Sequence, residues 1–173
     1  MIRKSYIALI AFLILLSLNL HAQESTRQWT HFRGNELKSI AEEGTYPIQW
    51  TDSTNIEWKT EIRGRAWSSP VVYGDQIWCT SATKDGNEMF VVCIDYNTGK
   101  IIKEIALFQP DSLYRIHPVN SFATPTPAIE EGFVYVHFGR YGSACINTET
   151  GEKVWERRDL ICEHVQGPGS SVF

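Results

Sequence analysis

Residues 69–104 of the chain read SPVVYGDQIWCTSATKDGNEMFVVCIDYNTGKIIKE, and residues 126–156 read TPAIEEGFVYVHFGRYGSACINTETGEKVWE. Both stretches contain four short apolar runs divided by turn residues, and Thr98-Gly99 in the first matches Thr150-Gly151 in the second. Repeats of about 40 to 50 residues made of strands and turns are typical of β-propellers, in which each repeat forms one blade. The sequence therefore predicts an all-β protein built from four-stranded antiparallel blades of a β-propeller.

Turn residues divide each copy into its predicted strands, because Gly and Asn tolerate the positive φ that tight hairpins need. The first copy gives strands at residues 69–73, 76–82, 89–95 and 100–106. The second copy gives strands at residues 127–129, 133–138, 143–147 and 152–157. The predicted blades cover residues 67–106 and 123–158, and residues 169–173 begin a third. Two blades and the start of another make only a partial ring, so we expect the sequence to be part of a longer protein.

The first 22 residues have the features of a signal peptide. Arg3 and Lys4 precede an apolar run at residues 7–16, and Ala22 ends a short exit segment. No later stretch approaches the roughly 20 apolar residues of a membrane span. We therefore expect an exported protein, periplasmic or extracellular, with no membrane span after cleavage. An uncleaved N-terminal anchor is the alternative.

Two further segments precede the first full copy. Residues 23–54 are punctuated by turn residues and predict an irregular lead-in. Within residues 55–63, apolar or β-branched side chains alternate with charged ones, and this period of two predicts one half-buried strand. A strand that comes before the first complete blade can complete the last blade of a ring and remove an exposed sheet edge.

The charge of the chain argues against nucleic acid as a partner. Cleavage after Ala22 removes two of the 16 basic residues and none of the 20 acidic ones, which leaves 14 against 20 and a formal charge of −6. Domains that bind nucleic acid through the phosphate backbone are basic, whereas this one is acidic.

Four cysteines in an exported chain permit disulfides, since oxidising compartments preserve them. Cys79 and Cys93 lie at equal distances from a hairpin centre near Gly86. This spacing predicts that the two residues lie opposite each other on neighbouring strands. A Cys79–Cys93 disulfide and a pair of packed thiols both fit that placement.

Several short motifs carry a family resemblance. They are Trp29-Thr30-His31-Phe32-Arg33-Gly34, Ile56-Glu57-Trp58-Lys59-Thr60, Trp67-Ser68-Ser69-Pro70-Val71-Val72 and Val134-Tyr135-Val136-His137-Phe138-Gly139. With the Asp-x-x-Thr-Gly-Lys turn that begins at Asp95, they resemble the exported bacterial PQQ-like (pyrroloquinoline quinone-like) β-propeller repeat proteins. The resemblance runs from Trp29 to the end of the sequence. It implies a propeller fold, which serves quinone-dependent dehydrogenases, outer-membrane assembly factors and other proteins.

The resemblance leaves the cofactor undetermined. Quinone-dependent alcohol dehydrogenases of this kind hold their cofactor with two adjacent cysteines, a calcium ion and a catalytic aspartate, and no two cysteines here are adjacent. PQQ and calcium are therefore expected only if further blades supply the ligands.

Propeller geometry brings particular loops together. Loops that join the second strand of a blade to the third emerge at the same end of the ring as loops that join consecutive blades, and binding residues concentrate on such loops. The candidate ligand contacts on this rim are His117, Asn120, His137, Arg140, Tyr141 and His164. Histidine is a common metal ligand, but these three histidines lie on different loops without short ligand spacing, so we predict no metal site.

The sequence therefore favours a non-catalytic binding or scaffolding module that uses its rim loops to contact a protein or a small molecule. The competing interpretation is the N-terminal part of a PQQ-dependent dehydrogenase. A scaffold for outer-membrane protein assembly is a third possibility.

Overall fold

The chain is seen in a computed structural model that describes residues 27–41, 44–160 and 163–173. The predicted signal peptide, residues 1–22, lies outside these residues. Within the described ranges no helix is long and apolar enough to cross a membrane. The strands are β1 (Gln28–Trp29), β2 (Val71–Tyr73), β3 (Gln76–Ala82), β4 (Met89–Asp95), β5 (Ile101–Phe108), β6 (Ala128–Glu130), β7 (Phe133–His137), β8 (Ser143–Asn147) and β9 (Lys153–Arg157). Two short 3₁₀ turns lie at Asn35–Leu37 and Gly139–Tyr141.

The described strands form two antiparallel sheets. The first has the order β1-β2-β3-β4-β5, and the second has the order β6-β7-β8-β9. Each of the eight strands predicted for the two copies is present, and its ends agree with the prediction to within two residues. The all-β class and the antiparallel order within each copy are therefore confirmed.

The two sheets pack face to face around one apolar core. Trp78 and Val91 of the first sheet and Val134 and Ile146 of the second are fully buried in the same cluster. The sheets approach each other through β2 and β6, which are the first strands of the two repeated copies. Alternating side chains along a strand point to opposite faces, so one face of each sheet supplies this core.

Turns of the same chemistry follow β4 in the first sheet and β8 in the second. In the first sheet, the carboxylate of Asp95 accepts hydrogen bonds from the backbone N–H and the hydroxyl of Thr98, and these bonds lower the pKa of Asp95. Gly99 follows with a φ of 70°, which a residue with a side chain rarely adopts. In the second sheet, the side-chain oxygen of Asn147 accepts the N–H of Thr150 at 2.8 Å, and Gly151 has a φ of 78°.

A fifth strand extends the first sheet and was not predicted. β1 pairs with β2 through Gln28 opposite Tyr73 and Trp29 opposite Val72. The next residue reaches the second sheet, because the N–H of Ile129 donates to the carbonyl of Thr30 at 3.0 Å. A two-residue strand is too short to produce a periodic pattern in the sequence.

The strand predicted at residues 55–63 is wrong, although the alternation that suggested it is real. Trp58, Thr60 and Ile62 are half-buried and the residues between them are exposed. These side chains reach the first sheet directly. The indole N–H of Trp58 donates to the carbonyl of Tyr96 at 2.9 Å, and the hydroxyl of Thr60 donates to the carbonyl of Gly99. Side-chain contacts thus replace the backbone ladder.

The segment at residues 169–173 also forms no strand. Its hydrogen bonds reach the residues just before the second sheet, where the N–H of Val172 donates to the carbonyl of Thr126 at 3.2 Å and the hydroxyl of Ser171 accepts the N–H of Thr126. A strand requires a ladder of such pairs, and Thr126 lies before the first residue of β6.

The prediction that Cys79 and Cys93 lie opposite each other on neighbouring strands is also wrong, and of the two alternatives the structure has free thiols and not a disulfide. In the register of β3 and β4, Cys79 lies opposite Val92 and Cys93 lies opposite Trp78. A shift of one residue reverses the face to which a side chain points. Cys93 therefore lies in the core between the sheets, Cys79 lies in a second cluster on the outer face, and both are free thiols.

We predict that both thiols are inert in the folded protein. Burial raises the pKa of Cys79 to about 11 and that of Cys93 to about 12, so the reactive thiolate is scarce near neutral pH. Iodoacetamide should label neither cysteine in the native chain and both in urea without reductant. Peptide mapping by mass spectrometry measures this, and a linked peptide containing Cys79 and Cys93 would contradict the observed register.

We also predict that the core between the sheets carries much of the stability. Phe138 is fully buried and packs edge to face on Phe108, with ring centroids 5.6 Å apart. Phe138→Ala should lower the free energy of unfolding by about 3 to 5 kcal/mol. Phe32, which is 42% exposed, provides a matched control, and Phe32→Ala should change it by no more than about 0.5 kcal/mol. Urea unfolding gives both values, and equal losses would contradict the prediction.

Candidate rim site

The loop that joins the two sheets and the segment after β9 lie side by side at one end of the sheets. The N–H of His117 donates to the carbonyl of Gln166 at 3.1 Å. The side-chain amide of Asn120 donates to the same carbonyl at 2.8 Å and to that of Pro168 at 3.3 Å. These bonds hold the two crossing segments together, so the rim is an ordered surface.

The turn between β7 and β8 joins the same surface through aromatic contacts. The hydroxyl of Tyr141 accepts the backbone N–H of Tyr114 at 2.9 Å, and its ring packs on Phe122 at a centroid distance of 5.9 Å. The guanidinium of Arg140 lies 3.4 Å from the centre of the Tyr114 ring, a cation–π contact. Arg140 and Tyr141 therefore reach the rim as predicted, and both are engaged there in structural contacts.

The turn between β3 and β4 completes this end of the molecule. Gly86 in that turn has a φ of 77°, and a side chain at this position would overlap the ring of Phe122. The absence of a Cβ lets the turn approach the loop at residues 116–122 closely. Loops from both sheets thus contribute to one surface.

Two of the three candidate histidines meet each other. The rings of His137 and His164 have centroids 6.5 Å apart, and Nδ1 of His137 lies 2.9 Å from the hydroxyl oxygen of Ser143. Burial lowers the pKa of His137, and the nearby His164 lowers it further. Nε2 of His164 is buried without a hydrogen-bond partner among the described residues.

The contact between His137 and Ser143 has the distance of a nucleophile–base pair, but no carboxylate among the described residues is hydrogen-bonded to His137 as the third member of a catalytic triad would be. In such a triad a carboxylate orients the histidine. The aromatic group that faces His137 is instead the imidazole of His164. No motif marks Ser143 in the sequence, where it is predicted only as the first residue of a strand.

The third candidate histidine lies elsewhere on the rim. His117 is exposed, and its Nδ1 accepts the backbone N–H of Val119 at 3.3 Å. Within the described ranges, no group of three or more His, Cys, Asp or Glu side chains is placed to hold a metal ion.

Two cavities lie at the rim within the described part of the chain. One of about 10 Å³, room for a single water, lies between Tyr114, Arg140, Tyr141 and His164. The other, of about 190 Å³, is lined by His117 and Asn120 together with Arg65 and Lys84. His137 lines neither. Arg65 was not among the candidates, because it precedes the first copy and no motif marks it.

An apolar groove of about 410 Å³ lies away from the rim, on the outer face of the first sheet. Trp58 and Ile62 form one wall, and Ile77, Cys79 and Ile94 form the floor. No candidate residue from the sequence analysis other than Cys79 lies there.

No protein-family model matches the sequence, and a search of curated proteins finds no match either.

We predict that His137 makes the protein less stable in acid. Its pKa is below the ordinary value of 6.5 in the folded chain, so on acidification the unfolded chain takes up this proton first. The free energy of unfolding should fall as the pH drops from 6.5 through the folded pKa of His137, and His137→Gln should reduce that fall.

Urea unfolding at about pH 7.5 and about pH 5.5 measures the effect. His117→Gln, which replaces an exposed histidine of the same rim, is the matched control. Equal slopes for the two variants would contradict the assignment to His137.

Proposed function

We propose that the chain is a segment of an exported PQQ-like β-propeller, in the periplasm or outside the cell, and that each sheet is one blade. Neighbouring blades of a propeller bury their faces against each other and converge on their first strands. The packing of the two sheets and the approach of β2 to β6 support this proposal.

The hydrogen bonds at the turns support it as well. The N–H of Tyr96 donates to the carbonyl of Asp75, and the N–H of Thr148 donates to that of Gly132, both at 2.9 Å. These bonds link the first turn of each sheet to the turn before its last strand. The same construction in consecutive sheets is what a repeated blade requires.

We further propose that the chain is a non-catalytic binding or scaffolding module, which uses its rim to contact a small molecule or a protein. The observation that carries this proposal is the set of hydrogen bonds by which Tyr141 and Asn120 join the loop between the sheets to the β7–β8 turn and to the segment after β9. Loops held on a rigid scaffold are the usual place for recognition. The engagement of these side chains in holding the loops favours recognition over proton transfer.

A panel of neutral sugars, sugar acids, amino acids and organic phosphates, followed by two-dimensional NMR of the full chain, tests this proposal. We expect the shifted amide signals to fall at residues 114–120, 137–141 and 163–168. The turns at residues 96–100 and 148–151 lie at the opposite end of their strands and serve as the internal control. Shifts confined to those turns would overturn the assignment to the rim.

The competing enzyme hypothesis is tested on the same material. Addition of PQQ and calcium, with an alcohol or a sugar and a reducible dye, should give no dye reduction above that of a sample without protein. Protein-dependent reduction would overturn the non-catalytic assignment.

A further inference from the structure

The larger rim cavity is lined by basic and neutral side chains only. It has a volume of about 190 Å³ and opens between the β3–β4 turn and the loop at residues 116–122. Its polar lining residues are Arg65, Thr83, Lys84, His117, Asn120 and Ser121, and the others are apolar. Two of these residues are cationic and none is acidic, although the whole chain has a formal charge of −4. The cavity is thus positively charged in a protein whose net charge is negative.

Among the described residues, no carboxylate forms an ion pair with Arg65 or Lys84. Arg65 donates from its two terminal nitrogens to the carbonyls of Pro118 and Val119, each at 3.2 Å. A guanidinium has five N–H donors, so three remain for a ligand. Lys84 is exposed at the end of β3. The neighbouring Asp85 is engaged within its own turn, where its carboxylate accepts the backbone N–H and the side-chain amide of Asn87.

His117 supplies a third donor. Its Nδ1 accepts the N–H of Val119, so the proton of the neutral ring is on Nε2. The neutral side chains around it are largely occupied, since the hydroxyl of Ser121 donates to the carbonyl of Arg65 at 2.7 Å. The donors available to a ligand are therefore the two cations and the imidazole N–H.

We propose that this cavity binds the oxyanion group, a carboxylate or a phosphate, of a small molecule. The proposal rests on the proposed role of the rim in binding and names the chemistry of its ligand. Charge-assisted hydrogen bonds from Arg, Lys and imidazole are the usual recognition of such groups. The volume is below the roughly 300 to 1,000 Å³ of sites for drug-sized molecules, so the ligand is a small anion or the anionic end of a larger one.

Isothermal titration calorimetry of the full chain tests the proposal with three probes. Glucuronate carries a carboxylate, inorganic phosphate carries the alternative oxyanion, and glucose is a neutral probe close to glucuronate in size. We expect glucuronate or phosphate to bind more tightly than glucose, and we expect the affinity to fall with added salt because the contacts are charged. The stronger of the two anions identifies the oxyanion.

Lys84→Gln supplies the decisive variant, since Lys84 is exposed and its replacement leaves the core intact. It should weaken anion binding about tenfold. Lys100→Gln removes the same charge from the turn at the opposite end of β4 and should leave the affinity unchanged. Lys84→Arg keeps the charge and should retain binding.

Three results would overturn the inference. Equal losses in Lys84→Gln and Lys100→Gln would show that net charge, and not this cavity, attracts the anion. Failure of both anions to bind the unsubstituted chain would remove the inference itself. Binding of glucose as tight as that of glucuronate, with NMR shifts at the rim, would overturn the oxyanion preference and leave the proposed binding role of the rim standing.

Discussion

Burial of one face of each sheet against the other is the constraint on which the described structure depends. The core contains side chains from both sheets, among them Trp78, Val91, Val134 and Ile146. Each sheet alone would expose this face to water, at a cost of about 25 cal/mol for every Å² of apolar surface. The rim loops leave the ends of these strands, so the packing that buries the core also sets the distance between the loops.

The two sheets are not buried to the same extent. In the first sheet β3 and β4 are buried on both faces, because Trp58, Ile62 and their neighbours cover the side that faces away from the second sheet. In the second sheet the outer face carries Tyr135 and Trp155, whose rings contact each other, and Trp155 is 42% exposed. Trp58, Ile62 and their neighbours thus cover the outer face of the first sheet. No segment among the described residues covers the outer face of the second sheet in the same way.

Much of the fold can be predicted from local chemistry. The predictions that were wrong concern pairing, which local chemistry does not determine. Gly74, Gly99 and Gly151 occupy positions with positive φ, so their placement in the sequence located the turns and therefore the strands. The register of a hairpin changes when its centre moves by half a residue, however. The predicted centre at Gly86 placed Cys79 opposite Cys93, whereas in the structure Cys79 lies opposite Val92. The segment at residues 55–63 has the alternation of a strand, but periodicity reports which side chains are buried and not what the backbone pairs with.

For the rim, the sequence predicts which residues lie there but not which residues they bond to. The positions of His117, Asn120, Arg140 and Tyr141 followed from the order of strands and loops, because that order determines which connections share an end of the sheets. Their hydrogen-bond partners could not be predicted from the sequence, because the bonds from Asn120 to Gln166 and Pro168 join residues more than 40 positions apart.

Arg65 illustrates the consequence of this division for function. It lies outside both copies and enters the rim because its N–H donates to the carbonyl of Ala82 at the end of β3. Its guanidinium then fixes the loop at Pro118 and Val119 and keeps three donors for the cavity. Arg65 thus supplies positive charge to the cavity and also holds in place the loop that forms part of its wall. The loop that Arg65 orders is therefore the same loop that brings His117 to the opening.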